Sequence, residues 1–209
     1  MKPVSFRARQ ALVVLAALAL AGCSAVTRPA PVKQTFLLDS AAPAPVARPQ
    51  PSSARVGTVN IAAPFRGKSF VSREGDLRYD TDFYNEFLVP PATMIGELTS
   101  RALERAKVFT LVVPINSAAP TEWLLDGFVS SLVVDAREPG KMYADLAITY
   151  YLFRADGGTG MPVWTRDYRQ REPLSALTAQ AYAAALNTAL GRIFADLARD
   201  LAAAELPKS

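Results

Sequence analysis

Two long apolar-rich runs most constrain what this chain can fold into. EWLLDGFVSSLVVDA (Glu122 to Ala136) and KMYADLAITYYLFRA (Lys141 to Ala155) flank the turn residues Pro139-Gly140. In the second run Leu146, Ile148, Tyr150 and Leu152 share one face, opposite Asp145 and Thr149. A period of two marks strands with one buried face, so the pair predicts a sheet covered on one side. The covering layer is legible near the carboxyl end. There Tyr182, Leu186, Leu190, Ile193, Leu197 and Leu201 step by three or four, which is the stripe of a helix facing a core. Ser175 is the expected cap of that helix, which should run to about Ala203. Its many alanines would let it approach the sheet closely.

The remaining elements fit the same layer. RVGTVNI (Arg55 to Ile61) reads as a strand ended by Pro64, and SFVSREGDLRYDTDF as two strands around Glu74-Gly75. Pro90-Pro91 suit a helix start, and Ile95, Leu98, Ala102, Leu103 and Ala106 then recur at helical spacing between Ala92 and Lys107. VFTLVVP adds a strand, and PVWTRDYRQRE another after the hairpin turn DGGTG. The expected fold class is α+β: one mainly antiparallel sheet with two helices packed on one face. Trp123 and Trp164 are expected as core or strand-packing residues.

The amino end obeys a different logic. MKPVSFRARQ is basic, with Lys2, Arg7 and Arg9 and no acid, and ALVVLAALAL is apolar throughout. That run is half the length of about 20 residues that a membrane-spanning helix needs. It reads as an export signal. Leu20-Ala21-Gly22-Cys23 matches the bacterial lipobox, which predicts cleavage between Gly22 and Cys23 and a diacylglycerol thioether plus an N-acyl chain, typically palmitate, on Cys23. Ser24 stands where an aspartate would signal inner-membrane retention, so the expected place is the periplasmic face of the outer membrane. Expected organisation is then a lipoprotein signal peptide at 1–22, an acylated, Pro/Ala-rich tether at 23–54 with a short strand that could form at 35–38, and the domain at 55–209.

Composition narrows function. The chain has 23 Lys+Arg against 19 Asp+Glu, but three bases and no acid lie in residues 1–22. The mature chain is thus near neutral, which argues against a nucleic-acid partner. Histidine is absent, which removes the commonest general base and metal ligand and with them Ser-His-Asp and Cys-His schemes. Asp76, Asp80, Asp82 and Glu86 cluster in DLRYDTDFYNE and read as solvated edge charges. Gly67-Lys68-Ser69 lacks the preceding glycine of a phosphate-binding loop. No enzyme, no metal and no cofactor beyond the covalent lipid is expected. Phe65, Phe70, Phe83, Tyr84 and Phe87 are the candidate partner-contacting or lipid-contacting side chains, with core packing as the competing role.

The lipobox, the proline-rich spacer, RVGTVNIAAPF, and FVSREGDLRYDTDFYNEFLVPPATMIGELTSRALERAKVF followed by a meander and an alanine-rich helix resemble the ABC-type transport auxiliary lipoprotein family, of the paraquat-inducible lipoprotein C type. The resemblance spans about Thr35 to Ala203. Phe87 stands where the family often has tryptophan, and Phe36 where it often has tyrosine. It implies a non-catalytic outer-membrane accessory that docks the MCE-domain substrate-binding protein of an ABC transporter moving phospholipid or other hydrophobic molecules across the periplasm. Two other readings are an assembly lipoprotein for an outer-membrane barrel, of the lipopolysaccharide-assembly type, and a periplasmic lipid carrier with its own cavity.

Overall fold

A computed structural model describes residues 32–114, 117–156 and 160–207. Its strands are β1 (Gln34–Phe36), β2 (Gln50–Ile61), β3 (Ser69–Arg73), β4 (Tyr79–Phe87), β5 (Phe109–Val113), β6 (Trp123–Asp135), β7 (Tyr143–Arg154) and β8 (Trp164–Pro173). Its helices are α1 (Pro91–Arg105) and α2 (Ala179–Ala203), with one 3₁₀ turn at Ala63–Phe65. The eight strands form one sheet, so the α+β class holds.

The two runs flanking Pro139-Gly140 build the centre of that sheet. They become β6 and β7, paired antiparallel from Trp123↔Arg154 to Asp135↔Tyr143, and β8 extends the meander against β7. The other edge of β6 is shared. Its first half pairs with β2 (Ala54 to Ile61 against Trp123 to Val129), and its end pairs with β3 at Ser72↔Val134 and Arg73↔Asp135. Both ladders are parallel, as are β1–β4 and β2–β5, while β3–β4 is antiparallel. The chain breaks step between β2 and β3 because Pro64 cannot donate to a ladder and instead starts the 3₁₀ turn.

One face of the sheet is dry. Leu146, Ile148, Tyr150 and Leu152 are buried under the helices, as the alternation predicts. Helix α1 lies on β2 and β5, α2 on β7 and β8, and the two helices touch. Helix α1 starts at Pro91 and ends in a left-handed Lys107 (φ 52°), with Val108 N–H donating to Leu103 O at 3.2 Å, a closure that satisfies the last carbonyls. Helix α2 begins later than expected. Its cap is Thr178, whose Oγ1 accepts from Ala181 N–H at 3.1 Å, and not Ser175. The apolar stripe of the helix first becomes buried at Ala181 and Tyr182, so the cap sits where burial starts. Two side chains of β8 fasten α2: Tyr168 Oη donates to Asp200 at 3.0 Å, and Glu172 accepts from Arg192. Trp123 is buried, as expected, with its Nε1 on Ser52 Oγ at 3.1 Å, while Trp164 is half-buried and packs against the core.

The segment read as a tether is part of the domain. The compact unit begins at Lys33 and not at Arg55. After β1, Leu38 is buried in the core, Asp39 N–H donates to Asn187 Oδ1 at 3.0 Å, and Ala41 lies beside Gly191. Val46 N–H then reaches Ala106 O at 2.8 Å. The strap from Leu37 to Pro49 therefore runs over both helices. It ends at Gln50, whose Nε2 donates to Leu201 O and Ala204 O, each at 2.9 Å. Those carbonyls also accept locally, Leu201 O from Ala204 N–H at 3.3 Å and Ala204 O from Leu206 N–H at 3.1 Å, so the side chain adds a long-range donor that ties the strap to the end of α2. Proline and alanine suit this role because small side chains let the backbone lie on a helix seam, a use that leaves no periodic trace in the sequence.

Candidate functional site

The five candidate aromatics separate cleanly. Phe65 (8% exposed), Phe70 (3%) and Phe87 (2%) are core, whereas Phe83 (76%) and Tyr84 (43%) are exposed. Phe70 is the hub of the buried set. Its ring lies 5.2 Å from Phe36, 4.6 Å from Phe87 and 5.0 Å from Tyr182, the last edge-on at 80°, and so joins β1, β4 and α2. For these three the core-packing role is the one found and the surface role is not; Phe70 and Phe87 hold the β3–β4 hairpin to β1 and α2, and Phe65 is buried in the 3₁₀ turn.

A fault in the ladder sets the other two apart. Ser69 pairs with Glu86, yet Val71 pairs with Thr81, so β4 carries a long bulge between those partners. Asp82 builds it. One carboxylate oxygen accepts from Tyr84 N–H at 2.8 Å and Asn85 N–H at 3.0 Å, and the other accepts from Asn85 Nδ2 at 2.7 Å. An aspartate that captures the amides two and three residues on is a turn-former. Here it replaces ladder bonds and pushes Phe83 and Tyr84 out of the sheet, stacked edge-on at 86° and 5.1 Å. Asp80, two residues earlier on the same strand, accepts its neighbour's amide, from Thr81 at 2.8 Å. The two aspartates have different work and form no dyad.

Beside the bulge lies a groove of about 400 Å³. Its walls are the hairpin (Val71, Phe83, Tyr84), Val134 of β6, Met142 just before β7, the approach to α2 (Leu174, Leu177) and Tyr182 in its first turn. Leu177 is 69% exposed. The Tyr182 hydroxyl is buried and has no hydrogen-bond partner among the described residues; burial and the nearby Asp145 charge push its pKa well above the usual tyrosine range. Ser72, Thr81, Thr178, Asp80 and Asp82 are the polar lining groups. Thr178 and both aspartates already serve the backbone. The trough is mainly apolar, with an aromatic rim and the hydroxyls of Ser72, Thr81 and Tyr182 among its lining. Among the described residues no three His, Cys, Asp or Glu side chains are grouped to hold a metal ion.

Charges brace the site from two sides. Glu86, next to the bulge, takes Lys33 Nζ at 2.9 Å and Lys68 Nζ at 3.7 Å, and the Lys33 hydrogen bond lowers its pKa. On the sheet's far face the buried Asp135 is gripped through both oxygens by Arg137 at 2.8 Å, which holds its carboxyl well below the usual carboxylate range. Arg171 also reaches Asp135 and stacks its guanidinium 3.6 Å over the Tyr143 ring. Asp145 is held the same way by Arg169, both contacts 2.8 Å, with Ser131 Oγ at 2.9 Å. Each buried carboxylate is thus matched by arginine, as structural ion pairs must be.

Sequence reasoning isolated the hairpin but missed Asp82 as the bulge-former and Leu177 and Tyr182 as groove walls. The available signal was the pair of amides following Asp82 in DFYN, where an Asx turn competes with a strand. Gly22 and Cys23 lie outside the described residues, as does the whole expected signal peptide.

Comparison with solved structures places the fold. Protein XCC0632 from Xanthomonas campestris, of the DUF330 family, superposes with a TM-score of 0.70 at 17% identity, covering 79% of this chain and 92% of its own. A second, uncharacterized protein matches at 0.63 and 12% identity, over 81% of this chain and 99% of that one. Lipoprotein GNA1162 from Neisseria meningitidis is far more distant, at 0.37 and 13% identity, over 74% and 100%. No protein-family model matches the chain, and no curated protein does. The two strong likenesses establish a shared fold.

Proposed function

We propose that this chain is a non-catalytic lipoprotein of the cell envelope, held at the periplasmic face of the outer membrane through Cys23, and that it serves as the docking accessory of an ABC transport system. Its partner on this reading is the MCE-domain substrate-binding protein, and the cargo is phospholipid or another hydrophobic molecule. The observation that carries the reading is the preformed groove beside the Asp82 bulge: a mainly apolar trough with an exposed aromatic rim, beside a dedicated distortion of β4. A concave, mainly apolar pocket with a few polar groups is the usual form of a binding site. The lipobox supplies localisation, and the family resemblance supplies the transporter.

The test is affinity capture of the lipidated protein from gently solubilised, crosslinked envelopes, with bound proteins identified by mass spectrometry, beside the variant Leu177→Glu. Leu177 is largely exposed, so the substitution should change stability by no more than about 0.5 kcal/mol. Wild type should recover the MCE-domain protein with its permease and ATPase. The variant should recover roughly tenfold less, the equivalent of about 1.4 kcal/mol. Recovery of an outer-membrane barrel without those components would establish the assembly-lipoprotein alternative. Lipid co-purifying at one molecule per chain, with no protein partner, would establish the carrier.

A further inference from the structure

The point where the chain enters the domain coincides with the aromatic bulge. Strand β1 pairs parallel with β4, Gln34 against Asn85, Thr35 against Glu86 and Phe36 against Phe87. Followed towards the amino terminus, a parallel strand in this register heads towards Tyr84 and Phe83. Lys33, the first residue of the compact unit, is pinned there by its 2.9 Å bond to Glu86. The strap behind β1 is committed to the helices, so no slack can be drawn from it without breaking the Asp39–Asn187 and Val46–Ala106 bonds. A leash to Cys23 is then limited to the length of chain before Lys33.

Cys23 precedes Lys33 by ten residues. Fully extended, that length spans at most about 33–36 Å. Had all of residues 23–54 been free, a proline-rich chain of about 3.1 Å per residue would have reached roughly 100 Å. The short leash leaves from the β1–β4 side, where Phe83 and Tyr84 are the exposed aromatic rings, beside the exposed Val32, Lys33 and Leu88. Tyrosine favours the headgroup level of a bilayer, where its apolar ring and polar tip are both satisfied, and a phenylalanine beside it buries its ring at the headgroup–acyl boundary.

We propose that the Phe83–Tyr84 bulge seats in the headgroup region of the leaflet that holds the acylated Cys23, as a second membrane contact that orients the domain and places the mouth of the groove at the bilayer surface. The occupant of the bulge is the lipid surface itself, and the groove wall at Leu177 remains the partner's. This inference rests on the reading of Cys23 as the anchor. It also gives the groove a use: hydrophobic cargo handed over there would meet the leaflet without crossing open water.

The test uses the full lipidated protein in vesicles of phosphatidylethanolamine and phosphatidylglycerol, with and without brominated acyl chains. Two variants carry a reporter, Phe83→Trp and Leu111→Trp. Leu111 is 55% exposed on β5, at the opposite end of the strand order from β1. After subtraction of the emission of Trp123 and Trp164, bromine should quench the reporter at 83 several-fold more than the one at 111 and shift its emission to the blue. Equal quenching at both positions, or none at 83 in protein that floats with the vesicles, would overturn the seating while leaving the anchor and the capture result intact. Protein that fails to float would remove the anchor, and the seating with it.

Discussion

Two fully buried tyrosines should respond in opposite directions to the same substitution. Tyr150 Oη lies 2.8 Å from Thr99 Oγ1, which in turn donates to Ile95 O at 2.7 Å. Tyr182 Oη is equally buried and has no partner among the described residues. Removing a paired hydroxyl costs about 0.5–1.5 kcal/mol net, and the lower half of that range applies to Tyr150→Phe because Thr99 keeps its bond to Ile95. Removing a solitary buried hydroxyl relieves a desolvation penalty of about 1–3 kcal/mol on the protein mutational scale, so Tyr182→Phe should stabilise. For a chain of this size 1 kcal/mol moves Tm by about 2–4 °C. Thermal and urea unfolding of the mature protein, followed by far-UV circular dichroism, should place Tyr150→Phe below and Tyr182→Phe above wild type. Thr99→Val makes the control sharper. It strands the Tyr150 hydroxyl and should cost about 1–3 kcal/mol, most of which the double variant Thr99→Val, Tyr150→Phe should restore. Equal destabilisation by both Tyr→Phe changes would refute the reasoning, since it would mean that Tyr182 is hydrogen-bonded through the groove.

Two further outcomes follow from local chemistry. Thr178→Ala removes the cap of α2 and should cost about 1 kcal/mol, measured by urea denaturation, whereas Ser175→Ala should leave the midpoint unchanged. The Asp135 carboxyl has a folded pKa depressed by Arg137, so its stabilisation is complete above the unfolded value of about 3.9 and fades as pH falls towards the folded one. The stability gap between wild type and Asp135→Asn should therefore be widest near neutrality and narrow below about pH 4, read from urea midpoints across that range.

The parts of this fold that sequence reveals are those with a period. Leu146, Ile148, Tyr150 and Leu152 announce a buried strand face, and the stripe from Tyr182 to Leu201 announces its cover. Pro90-Pro91 mark the start of α1 within a residue. What stays hidden depends on pairing across distance. Nothing local says that β2 runs parallel to β6, because the ladder joins Val56 to Leu125, residues linked only through the finished sheet. Phe83 and Phe87 look alike in DFYNEF, and only the Asp82 turn, which shifts the register between them, sends one outward and the other into the core. The strap was illegible for the opposite reason. Proline and alanine signal a spacer, and the features that dock them, Asn187, Gly191 and the Leu201 carbonyl, lie some 150 positions downstream.

That separation gives the strap a kinetic meaning. Its contacts close loops nearly as long as the domain, with Asp39 meeting Asn187 at a separation of 148 residues and Gln50 meeting Leu201 at 151. Loop closure of that span comes late, after local hairpins and helices have formed. The first part of the domain to emerge must wait for the last before it can settle. With a lipid fixed to Cys23, folding would then act as a winch: a chain first free to wander far from the membrane is reeled in when α2 docks, and any truncation of that final helix would let the line run out again.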